Sequence, residues 1–96
     1  MQVYSFNRRV ENLFNSYFLH HENIVIKLDE HQISICLLDE HNEDPASLEL
    51  IKFIDHYQIT FWDGYSQSEI IETSNDKDSA QVMKRFMKKL LKILKR

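Results

Sequence analysis

The sequence predicts a small α+β domain. An antiparallel sheet is covered on one face by an N-terminal and a C-terminal helix. Three observations predict it: an apolar stripe at helical spacing opens the chain, a second closes it, and the short runs between them alternate in steps of two. The favoured order is α-β-β-α-β-β-α. The alternative, α-β-β-β-β-β-α, makes the middle segment a strand. Residues 1–96 form one domain, since the chain has neither a repeat nor a linker.

The first helix is expected from Asn7 to about His20. Phe6, Val10, Leu13, Phe14 and Tyr17 recur every three or four residues, and Ser5 or Asn7 supplies a cap. A hairpin follows. Ile24, Ile26 and Leu28 share one face of its first strand, and Ile33, Ile35 and Leu37 share one face of its second. Asp29-Glu30-His31-Gln32 joins the two strands, and Asp39 to Asp44 is an acidic connector.

Pro45 to about His56 is the ambiguous stretch. As a strand it sets Lys52 among Leu48, Leu50 and Ile54, which is poor alternation. As a helix it gathers Leu50, Ile51, Phe53, Ile54 and Tyr57 on one side and misplaces only Leu48. Asp44 would then cap, and Pro45 would take the first helical position, where its missing N–H is harmless. The helix is favoured. Tyr57–Trp62 and Glu69–Thr73 read as a second strand pair joined by the turn residues Asp63-Gly64-Tyr65-Ser66.

The final helix is expected from near Asp78, capped by Asp78 or Asn75. At ~100° per residue, Val82, Met83, Phe86, Met87, Leu90, Leu91, Ile93 and Leu94 fill one half of its wheel. Lys84, Arg85, Lys88, Lys89, Lys92, Lys95 and Arg96 fill the other.

At 43% hydrophobic and 11% aromatic residues, the composition supports a packed core rather than disorder. One cysteine, Cys36, permits no internal disulfide, so a reducing compartment is expected. Met1 to Tyr4 do not open a signal peptide, and no apolar run is long enough to span a membrane. The expected location is cytoplasmic. A single glycine leaves almost nothing from which to build a phosphate-cradling loop.

Charge is divided sharply along the chain. Residues 76–96 carry eight of the twelve Lys and Arg against two acids, a formal +6. Residues 1–75 carry four against thirteen, a formal −9. Between Glu22 and Glu72 the formal charge is −10. Such an acidic body favours a basic protein partner and speeds its encounter.

No catalytic, cofactor or metal constellation emerges. His20 and His21 point ~100° apart on a helix, so they are poor joint ligands. Asp39 to Asp44 lack the glycine and spacing of a calcium loop. Cys36 reads as a half-buried strand residue, and Glu69 and Glu72 face opposite ways on a strand.

The expected function is therefore non-catalytic binding: an acidic body that inhibits or modulates a basic partner protein, in the manner of an immunity protein or antagonist. Asp39, Glu40, Glu43, Asp44 and Asp63 would supply charge, with Trp62 and Tyr65 as aromatic anchors. The alternative is nucleic-acid binding through Lys84, Arg85, Lys88, Lys92 and Lys95. Self-association of the acidic body with the basic helix, giving a homo-oligomer, is a further option.

Overall fold

The computed structural model describes residues 5–95; Met1 to Tyr4 and Arg96, which entered the readings above, lie outside the described residues. Two helices flank a five-stranded antiparallel meander: α1 (Phe6–Phe18), β1 (Ile24–Leu28), β2 (Gln32–Leu37), β3 (Ser47–Lys52), β4 (Tyr57–Trp62), β5 (Ser68–Thr73) and α2 (Asp76–Leu94). The strands lie in sequence order, β1-β2-β3-β4-β5.

The α+β class holds, and the alternative element order is the one observed. Residues 47–52 form a central strand, not the favoured helix. The reason is tertiary. Leu48 pairs with Ile35 and Phe61, and Leu50 pairs with Ile33 and Ile59. Leu48 and Leu50 are fully buried, whereas Ser47, Glu49 and Ile51 face the other way. Lys52, the residue that spoils the alternation, sits at the strand end. Its ammonium escapes the core to the Asn7 carboxamide and lies 5.7 Å from the centre of the Phe6 ring. A long aliphatic stem lets lysine occupy such a position with its charge outside.

The remaining elements form where the periodicity places them, within two residues at each boundary. Ser5 caps α1 by accepting the Arg8 N–H, and Asn75 caps α2 by accepting the Asp78 N–H. Each cap satisfies a donor that the helix itself leaves free. Asp76 and Asp78 in the first turn of α2 suit the positive end of its dipole.

Both helices cover the same face of the sheet. Val10, Phe14 and Phe18 from α1 and Met83, Phe86, Met87 and Leu90 from α2 join Ile33, Ile35, Leu48, Leu50, Ile59 and Phe61 in one core cluster. Phe86 stacks on Phe61 at 5.4 Å between centroids. Each such side chain contributes about 1.5–3 kcal/mol of burial.

The helices also run parallel to each other. Phe6, the first residue of α1, stacks on Tyr57, whose hydroxyl donates to Asp76, the first residue of α2. Both helices therefore start at the Tyr57 end of the sheet. Near the other end, Arg85 and Lys89 of α2 reach Glu69, which pairs with Phe61.

Candidate functional site: an acidic end built from two loops

The register decides which loops meet. Cys36 pairs with Ser47, Ser47 with Trp62, and Trp62 with Ser68. The β2–β3 connection and the β4–β5 turn therefore emerge side by side at the Trp62 end. Asp39, Glu40, Glu43 and Asp44 come from the first, and Asp63 and Tyr65 from the second. The residues singled out in the sequence thus converge on one end of the molecule.

Two cross-links hold the loops together. The Asn42 side-chain amide donates to the Gly64 carbonyl at 3.0 Å, and the Trp62 indole N–H donates to the Asp44 carbonyl at 3.0 Å. Gly64 has φ +90°, and a Cβ there would lie 3.0 Å from the Ala46 backbone nitrogen. Only glycine permits both the left-handed conformation and this close approach. Within the turn, one Asp63 carboxylate oxygen accepts the N–H groups of Tyr65, Ser66 and Gln67 at 2.8, 3.0 and 3.1 Å. Asp39 organises its own loop by accepting the His41 N–H at 2.9 Å.

The aromatic pair divides its roles. Phe61 points into the core and is buried; Trp62 lies on the uncovered face and is half-buried. With its N–H engaged by Asp44, Trp62 braces the two loops against each other. Tyr65, 77% exposed, is the projecting aromatic. Leu38, also exposed, stands where the acidic connector leaves β2. Glu40, Glu43 and Asp44 are exposed, and their carboxylates have no partner among the described residues. The C-terminus of α1 has no basic residue in its last turn, so the negative end of its dipole is left uncompensated from within the helix.

Sequence reasoning missed Asn42 and Gly64, which clamp the loops. Gly64 carried a signal as the only glycine of the chain, but its neighbour across the turn is set by strand register.

The other candidate groups stay apart. Cys36 is half-buried on the uncovered sheet face. Glu69 faces the helices and binds Arg85 and Lys89, whereas Glu72 lies on the opposite face, 3.9 Å from His56. The Lys89 ammonium is the main cause holding the Glu69 carboxyl below its ordinary range. Among the described residues no group of three or more His, Cys, Asp or Glu is placed to hold a metal ion, and no helix is long and apolar enough to cross a membrane.

No family model matches the chain, and neither the comparison with curated proteins nor that with solved structures returns a match. Fold and site together therefore define no more than a class: a small α+β domain with one acidic, loop-built end.

Proposed function

We propose that this chain is a small, non-catalytic, cytoplasmic binding protein. Its acidic end engages a basic partner protein and blocks or modulates it, in the manner of an immunity protein or antagonist. One observation carries the reading: two loops distant in sequence are clamped through Asn42–Gly64 and Trp62–Asp44 into a single surface with unpaired carboxylates and an exposed tyrosine. Fixed carboxylates steer a cationic partner, and an aromatic beside them supplies contact area at low entropic cost.

The test is affinity capture from the native host with the wild-type chain, followed by mass spectrometry. The captured set should be dominated by a basic protein. Tyr65→Ala should weaken its binding at least tenfold, through faster dissociation. Glu40→Lys, Glu43→Lys and Asp44→Lys together should slow association and remove most of its salt dependence. If binding survives the triple reversal unchanged, the proposal fails.

A further inference from the structure

A second surface lies on the outer side of the helix layer. There α1 and α2 run side by side, and Arg9, Asn12, Leu13, Ala80, Gln81 and Lys84 line the groove between them. The basic half of α2 is not uniform. At ~100° per residue, Lys77, Lys84, Lys88 and Lys95 fall within ~40° of one another, on the exposed half of α2 and toward its α1 side. All four are exposed and have no acidic partner among the described residues. Lys92 flanks this line. Arg85 and Lys89 lean the other way and are bound to Glu69 at 3.2 and 2.9 Å.

The first helix completes the surface. Arg9 and Asn12 are exposed on its α2 side, while Glu11, the only acid of α1, lies ~160° around the helix from Arg9. The result is a strip of cations from two helices, with Asn12 and Gln81 between them. From Lys77 to Lys95 it extends over ~27 Å at ~1.5 Å per residue.

We infer that this strip binds the phosphate backbone of double-stranded nucleic acid without regard to sequence. A row of unpaired ammonium groups along a rigid helix matches a linear array of phosphates, and amides add neutral donors to phosphate oxygens. Lysine is a point charge on a flexible stem, which favours phosphate contact over reading base edges. The strip carries no aromatic side chain, so it offers no stacking platform for a single strand. A lipid surface fits less well. The apolar half of α2 that would have to insert is committed to the core, with Met83, Phe86, Met87 and Leu90 fully buried.

The strip and the proposed protein-binding end use different residues, so the two readings are tested by different variants. Titration of the full chain against a labelled mixed-sequence duplex, the matching single strand and phosphatidylserine vesicles, over a salt series, tests the inference. The duplex should bind most tightly, with a dissociation constant of about 10⁻⁶–10⁻⁴ M and a steep loss with salt. Arg9→Gln, Lys84→Gln and Lys88→Gln should each flatten the log–log salt slope by about one unit. The Arg85→Gln/Lys89→Gln pair should flatten it much less. Absence of duplex binding at low salt overturns the inference, as does tighter binding to the single strand or to vesicles. It is equally overturned if the Arg9, Lys84 and Lys88 variants, shown folded by circular dichroism, keep the wild-type slope.

Discussion

At the scale of single residues, the ends of the sheet are set by side chains that tie loops to helices. Tyr57 is the clearest case. It stacks on Phe6 at 5.1 Å and donates its hydroxyl to Asp76. Burial, followed by the Asp76 hydrogen bond and charge, pushes its phenol up from 10.0 to about 12. The folded state therefore holds this proton more tightly than the unfolded chain does. The stabilisation is fully present below pH 10 and is lost as pH rises toward 12. Absorbance titration of the folded protein should show a phenolate step near pH 12 that Tyr57→Phe abolishes. A titration identical in wild type and variant would contradict the contact. Lys52, at the same end, responds in the opposite sense. Burial lowers its pKa, partly offset by Asp76 and Glu30, so its small contribution to stability improves as pH rises just below 10.5.

At the scale of elements, β3 is the instructive segment. Its local pattern favours a helix over a strand, and Leu48 separates the two. On the expected helix Leu48 lies outside, and its truncation would change stability by no more than about 0.5 kcal/mol. In the sheet it is fully buried between β2 and β4. Leu48→Ala should therefore cost about 2–5 kcal/mol in urea unfolding, with little change in the m-value. A loss below about 1 kcal/mol would return the segment to the surface. Within α2, by contrast, every element-level signal agrees: the Asn75 cap, acids in the first turn, Lys92 in the last, and an apolar half that faces the sheet.

At the scale of the molecule, the core residues of both helices and of the sheet belong to one cluster. Unfolding followed by tryptophan fluorescence at Trp62 and by far-UV circular dichroism should therefore give coincident transitions. Two separated midpoints would show that the helix layer and the sheet melt independently. The charge split also acquires a shape at this scale. The −10 stretch and the basic helix do not simply neutralise each other, because only Glu69 bridges to α2 through Arg85 and Lys89 among the described ion pairs. The acidic loops occupy one end, and a free cationic strip runs along the helix layer.

The sequence by itself determined the class, both helices, four of the five strands and the list of acidic and aromatic candidates. Those properties are local: a period of 3.6 or 2, a cap, a turn residue, a run of charge. Only the tertiary structure decided the rest. It made Ser47–Lys52 a strand, because the β2 and β4 ladders satisfy its backbone on both sides and bury Leu48 and Leu50. It clamped Asn42 to Gly64 and tied Trp62 to the Asp44 carbonyl. It also divided the basic helix, giving Arg85 and Lys89 to Glu69 and leaving Lys77, Lys84, Lys88 and Lys95 beside Arg9. Each of these depends on which distant segment lies across a strand pair or a helix seam, and no local pattern encodes such a neighbour.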